Sequence, residues 1–398
     1  MTSEVEKTIL SAVRCADYTP DRLEAALTKL LAPFGGLENI VESGQTVFLK
    51  VNLLTNRPPE KAATTHPALV EILTRRIIDR GARVFIGDSP PMALGRIAAY
   101  WDTCGLKSIA DRTGATLVAL EQEPTRPLSI KGPGGTLAVH VSEWAFKADV
   151  LFNLPKLKTH NLTVLTGAVK NFFGLLPGLQ KARLHKDFPL PDDLSDMIVG
   201  LAEGIKRISP RSFTIMDGIL GMDGNGPAGG QPVETRVLLA SPDPVAVDLG
   251  MCAIVGVSPD RVPTLVKAKK RGFGPHDLST LQHMGDPLET LRCETFRLGT
   301  TPRIPSFPKS IFAFAQRLIW AFPRIDPTAC IRCNACVKIC PAEAMIAAPN
   351  RIGFRRNRCI SCFCCAEVCP KDAIEIAISP LLALAKNARR VVRFLQGK

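Results

Sequence analysis

Residues 330–341 read CIRCNACVKICP and residues 359–370 read CISCFCCAEVCP. Each run has the spacing C-x2-C-x2-C-x3-C followed by proline, and the two are offset by 29 residues throughout. Three thiolates at this spacing wrap one face of a [4Fe–4S] cubane, so the repeat calls for two such clusters. Zinc motifs seldom repeat x2-x2-x3 twice with the trailing proline. The chain has 13 cysteines. Its N-terminal MTSEVEKTIL lacks a positive flank and an apolar signal core, so no secretion is expected. In a non-secreted chain, cysteines in this number argue for metal or redox chemistry over disulfides.

The segment 326–376 resembles two-cluster bacterial-type ferredoxins, small α+β domains. The resemblance implies that the fourth cysteine of each run serves the other cluster. Cys330, Cys333, Cys336 and Cys369 then hold one cluster, and Cys359, Cys362, Cys365 and Cys340 the second. The segment departs from that family in charge. Many such ferredoxins are acidic, whereas RIGFRRNR (351–358) places four arginines between the motifs. Residues 301–398 carry 16 Lys/Arg and 5 Asp/Glu, which is most of the net charge of +13. A basic surface calls for an acidic partner. The expected ones are an electron donor such as a ferredoxin or flavodoxin, or an acidic membrane face contacted peripherally. Nucleic acid is not expected. The plainer alternative is a solvated basic surface with no dedicated partner. Cys364 reads as packing beside a ligand, and Cys15, Cys104, Cys252 and Cys293 as buried apolar residues.

The chain has 398 residues, 46% hydrophobic and 22% charged, which fits two or three soluble domains. No apolar run reaches the roughly 18 residues of a spanning helix, so a cytoplasmic protein is expected. Residues 1–298 alternate apolar runs with amphipathic stretches. Strands are expected at 46–54, 82–90, 115–120, 136–141, 149–154, 212–217 and 235–240. Helices are expected at 21–33, 67–81, 192–207 and 244–254. Such βα alternation predicts an α/β domain with a mainly parallel sheet, its functional loops at the strand C-termini. Residues 299–325 read as a Pro-rich linker with an apolar helix at 311–323. Residues 377–398 read as a basic amphipathic helix. Leu381, Leu384, Ala388, Val391 and Leu395 form its stripe, opposite Lys386, Arg389, Arg390 and Arg393. Docking on the protein and lying on a membrane are its two readings.

The large domain carries polar strings where strands should end. They are Lys50-Val-Asn52, TTHP (64–67), GDSP (87–90), LPKLKTHNLTVLTGAVKNFFGLLPG (154–178) and MDGNGPAGG (222–230). Together they resemble the family named domain of unknown function 362, over residues 8–298. Lys156, Lys158, His160, Lys170, Lys181, Arg183, His185 and Lys186 crowd into residues 154–190. On a loop–helix segment this density suits an anionic small molecule. Lys170 among Ala168, Val169, Phe172 and Phe173 should be desolvated. MDGNGPAGG contains G-x-G-x-x-G, but a proline interrupts it and a strand should follow, so it reads as a substrate-facing loop. Asp88 and Asp223 read as turn residues or as acid–base groups.

The same segment is also similar, more weakly, to the nickel-pincer lactate racemases. The matching positions are His160, Gly167-Ala168, Lys170, Pro177-Gly178 and His185. In that family the lysine tethers the cofactor and a histidine ligates the metal. This sequence reads Thr-Gly-Ala where that family has a glycine pair, and nickel is not carried over. The function expected is an iron–sulfur oxidoreductase passing single electrons to an anionic substrate or cofactor. Lys170, His160, His185 and His66 are the catalytic candidates, the histidines as proton donors. Lys156, Lys158, Asn52 and Asp88 are the substrate-binding candidates. The rivals are a non-catalytic electron-transfer or assembly subunit, and a racemase- or isomerase-like enzyme with structural clusters.

Overall fold

A computed structural model describes residues 7–91, 93, 96–178, 180–299, 320–381 and 384. The linker after 299, most of the apolar stretch 311–323 and the helix expected after Leu384 lie outside the described residues.

The first strands are β1 (Ile9–Arg14), β2 (Thr46–Val51), β3 (Arg83–Asp88) and β4 (Thr116–Ala119). A hairpin follows, β5 (Thr125–Gly132) with β6 (Gly135–Ser142). Then come β7 (Val150–Leu154), β8 (Lys156–His160), β9 (Val164–Thr166), β10 (Ser212–Asp223), β11 (Gln231–Ser241) and β12 (Gln282–Gly285). The large sheet runs in the order β12-β1-β11-β10-β7-β2-β3-β4, and β8 and β9 branch from β10. β10, β7, β2, β3 and β4 are mutually parallel, and β11 is antiparallel to both neighbours. The α/β architecture with a mainly parallel sheet is therefore present.

The sheet is buried on both faces, as parallel sheets are. Phe48 and Leu151 point into one apolar layer, while Val47, Leu49, Val150 and Phe152 point into the other. The helix Pro191–Ile208 covers the first face with Leu194, Met197, Ile198, Leu201 and Ile205 at helical spacing. The helices Pro20–Leu31 and Pro67–Asp79 cover the second. Pro67 sits at the first helical position, and the His66 ring nitrogen caps the helix by accepting from Ala68 N at 3.2 Å.

The string 156–160 is a buried strand and not the loop expected from its lysines. All five residues of β8 are buried, in register with β10 through Lys156↔Asp217. The lysines had suggested solvent, but their ammonium groups are met inside by a carboxylate and by amide oxygens. Lys170 consequently follows β8 and β9 on the short helix Ala168–Asn171, and not β7 directly.

The cysteine segment is closed by β13 (Ala321–Ile325), antiparallel to β16 (Ile374–Ile378). β14 (Met345–Ala347) pairs with β15 (Ile352–Phe354) between them. Residues 321–325 are thus strand where helix or linker was expected, because they pair along their whole length with β16. The sequence repeat is also a backbone repeat. Left-handed residues occur at Arg332 and Ser361, Asn334 and Phe363, Glu343 and Asp372, always 29 apart. Asn334 and Phe363 each lead into a short helix, Ala335–Ile339 and Cys364–Glu367.

Candidate functional site

The motif cysteines line two cavities. Cys330, Cys333, Cys336 and Cys369 wall one, with Ile325, Ile352 and Ile374. Cys340, Cys359, Cys362 and Cys365 wall another, with Met345, Phe354 and Phe363. Burial, then Cys333, Cys369 and Cys330, push the Cys336 thiol up to about 11. Burial and the neighbours Cys362, Cys359 and Cys340 push Cys365 well up. Backbone amides point at several sulfurs: Ala344 N donates to Cys340 Sγ at 3.2 Å, Ala373 N to Cys369 Sγ at 3.3 Å and Ser361 N to Cys359 Sγ at 3.4 Å. Among the described residues no three His, Cys, Asp or Glu gather closely enough for a single metal ion. Four thiols around each apolar-walled cavity, with amide donors on several sulfurs, fit a polynuclear iron–sulfur body.

The cysteine module sits against the strand C-termini of the large sheet. Arg57 anchors it, donating to Ala228 O at 2.7 Å, Cys369 O at 3.1 Å and the Asp372 carboxylate. Between the two units lies a pocket. Asn52, Asp88, Lys158, Thr166, Lys170, Lys181 and His185 line it from the large domain. Ile339, Cys364, Glu367 and Val368 line it from the cysteine module. Cys364 also walls the cavity of Cys340, Cys359, Cys362 and Cys365. Its side chain is packed with Ala182 and Ile339, as a packing cysteine should be, and it also links the two spaces.

In this pocket the buried Thr166 hydroxyl has no hydrogen-bond partner among the described residues, and the half-buried Lys170 and the His185 imidazole line the same wall. His185 is 8% exposed and its ring meets only the edge of Phe173, at a centroid separation of 6.0 Å. Burial depresses Lys170, opposed by Glu367 and Cys364. Burial and then Lys170 hold His185 at about 3. Lys158 donates to Asn52 Oδ1 at 2.6 Å and Ala63 O at 2.8 Å, and burial pushes it well down. Burial brings Lys181 to about 8, opposed by Asp88 and Glu121. Its ammonium donates to Ser89 O. Of the two carboxylates on the wall, Asp88 is already paired with buried Lys50 at 2.9 Å. Glu367, from the cysteine module, faces Lys170 and Lys158.

Several expected site residues stand elsewhere or have other duties. Lys156 is not free to hold an anion, because it is fully buried against Asp217 at 2.8 Å and the Tyr18 hydroxyl at 2.9 Å. His66 caps its helix and stacks on Tyr18 at 3.5 Å, outside the pocket. Asp88 lines the pocket as a counter-ion, also accepting from Leu53 N at 2.6 Å. His160 accepts at Nδ1 from Leu162 N at 3.0 Å, so its proton lies on Nε2, 3.5 Å from Glu367. The histidines were expected to donate protons because imidazole titrates near neutrality. Burial instead lowers all three, His66 to about 4, His185 to about 3 and His160 well below its usual range. The 222–230 loop packs by Gly226 N on Thr159 Oγ1 at 3.1 Å and contributes only Pro227 to the pocket. Sequence reasoning missed Thr166 and Glu367. Thr166 lies inside the singled-out string, whereas nothing in the sequence brings Glu367 to the large domain.

The family described as 4Fe-4S dicluster domain matches residues 322–370. The cysteine module is thus a ferredoxin-type iron–sulfur unit. No helix among the described residues is long and apolar enough to cross a membrane. The thylakoid-associated protein sll1697 of Synechocystis sp. is 34% identical over 274 residues, which is 67% of this chain and 80% of that protein. Among solved structures, the lactate racemase apoprotein of Thermoanaerobacterium thermosaccharolyticum aligns with TM-score 0.40 and 15% identity, covering 62% of this chain and 56% of that one. The family described as Domain of unknown function (DUF362) matches residues 47–253, a little over half of the chain, and the chain belongs to it.

Proposed function

We propose that the chain is an iron–sulfur oxidoreductase that delivers single electrons to an anionic small molecule held in the pocket between its two units. Cys330, Cys333, Cys336 and Cys369 would hold one [4Fe–4S] cluster, and Cys340, Cys359, Cys362 and Cys365 the other. The clusters supply reversible one-electron transfer at low potential. The observation that carries the reading is a pocket lined by Lys158, Lys170, Lys181 and the buried, unpaired Thr166 hydroxyl, which shares Cys364 with a thiol-lined cavity. Buried polar groups are normally paired, and a bound anion would pair Thr166.

Lys170 and Lys158 bind and orient the anion, with Thr166 and the neutral His185 ring donating to it. Ile339, Val368 and Phe173 exclude water from the apolar end. A reduction consumes protons, and burial brings the wall lysine Lys181 to about 8. It holds its proton at Nζ below that pH and is placed to release it. His160 Nε2, facing Glu367, is a second proton position.

Lys170→Ala tests the reading. Anaerobically purified protein should retain a small anion visible by native mass spectrometry. Lys170→Ala should lose that anion and at least 100-fold of reductive turnover, with iron and sulfide content unchanged. A variant that keeps the anion and turns over like the parent would overturn the proposal.

A further inference from the structure

The two thiol-lined cavities differ in what surrounds them. The inner one, of Cys340, Cys359, Cys362 and Cys365, touches the pocket through Cys364. The outer one, of Cys330, Cys333, Cys336 and Cys369, is also walled by Ile331, Arg332 and Lys371. Of the eight motif cysteines only Cys333 is exposed. Ile331 is 56% exposed, and large hydrophobics this exposed are few among the described residues. Arg332 and Lys371 are exposed beside it, and neither has an ion pair among the described residues. Arg332, between exposed Ile331 and Cys333, has a left-handed backbone (φ 55°).

We infer that this face is the electron-entry dock, and that its partner is a one-electron carrier protein with an acidic docking surface. An apolar centre rimmed by charge is how transient protein interfaces are built. The strongly basic C-terminal quarter steers an acidic carrier toward it from a distance. One electron leaves the reduced carrier, which is thereby oxidised, and enters at the centre held by Cys330, Cys333, Cys336 and Cys369. No atom or proton is transferred. The inner site lies next in line, since Cys336 of the outer set and Cys365 of the inner set pack in one apolar cluster. Electrons thus enter at Cys333 and leave toward Lys170. The inference rests on the iron–sulfur reading, but its binding half makes no use of the pocket.

The probe is an acidic plant-type two-iron ferredoxin, mixed anaerobically with the iron-loaded chain. Complex formation by calorimetry should weaken steeply between low and high salt. Arg332→Glu with Lys371→Glu should weaken it at least tenfold and slow bleaching of the cluster absorbance by reduced ferredoxin equally. Reduction by dithionite, which needs no dock, should be unchanged. Ile331→Asp should weaken binding without removing a cation, and serves where the double variant fails to load iron. Lys270→Glu, exposed on the helix Pro263–Arg271, should change nothing. Lys170→Ala should bind and accept electrons normally, so failure of the pocket reading would show separately. The dock is overturned if the Arg332, Lys371 and Ile331 variants bind like the parent. Equal weakening by Lys270→Glu overturns it too. So does binding of anionic vesicles, lost in the same variants, with no ferredoxin bound.

Discussion

Burial decides the chemistry of single side chains here. Lys156 and Lys170 are both lysines of one basic string, yet Lys156 has Asp217 and Tyr18 while Lys170 has no bonded partner among the described residues. A half-buried ammonium that faces its carboxylate, Glu367, without bonding to it is open to a ligand in a way that the paired Lys156 is not. His185 carries a pH signature. Its folded value of about 3 lies below the 6.5 of an ordinary histidine. Between those values the unfolded chain binds a proton that the folded chain refuses. Stability is full above pH 6.5 and falls on acidification by about 1.4 kcal/mol per pH unit for such a group. His185→Gln should therefore flatten the fall in urea midpoint between pH 6.5 and 5, followed by tryptophan fluorescence. An unchanged slope would mean that the ring is solvated.

Elements in this fold place charges as much as they bury apolar surface. The turn after Phe173 is glycine because the chain passes directly over the Lys50–Asp88 pair. A Cβ on Gly174 would lie 2.2 Å from Asp88 Oδ1 and 2.6 Å from Lys50 Nζ. Gly174→Ala should cost about 2–4 kcal/mol in urea unfolding, since it must push apart a buried ion pair. A loss under 0.5 kcal/mol would show that the turn yields instead. Gly167 has the same duty toward Asp248, whose carboxylate accepts from Ala168 N and Val169 N and so fixes the short helix that carries Lys170. The string TGAVKNFFG was legible as a site because of its lysine among aromatics. Its glycines mattered for a reason visible only in three dimensions.

The whole molecule depends on how two separately built units meet. Arg57 spends its guanidinium on Ala228 O, Cys369 O and Asp372, bridging the 222–230 loop and the last motif cysteine. Arg57→Ala removes the side-chain donor of Ala228 O, worth about 1–3 kcal/mol, and leaves Cys369 O with only Asp372 N at 3.4 Å. Amide exchange should speed up around residues 226–229 and 369–374, while iron content stays near that of the parent. Exchange confined to the neighbourhood of residue 57 would show that the seam is held by other contacts.

The cysteine repeat by itself determined the iron–sulfur unit, because ligand spacing is local and a cubane tolerates few spacings. Hydrophobic periodicity likewise determined most strands and helices of the large domain, since the faces of each element repeat along the chain. The partner of each lysine was decided only by the tertiary structure. Lys156, Lys158 and Lys170 look alike in sequence, and they differ because Asp217, Asn52 and Glu367 arrive from three distant parts of the chain. Coulomb and desolvation energies depend on distance in space and not on separation along the chain, so the pocket could be composed only once β8, β10 and the cysteine module had come together.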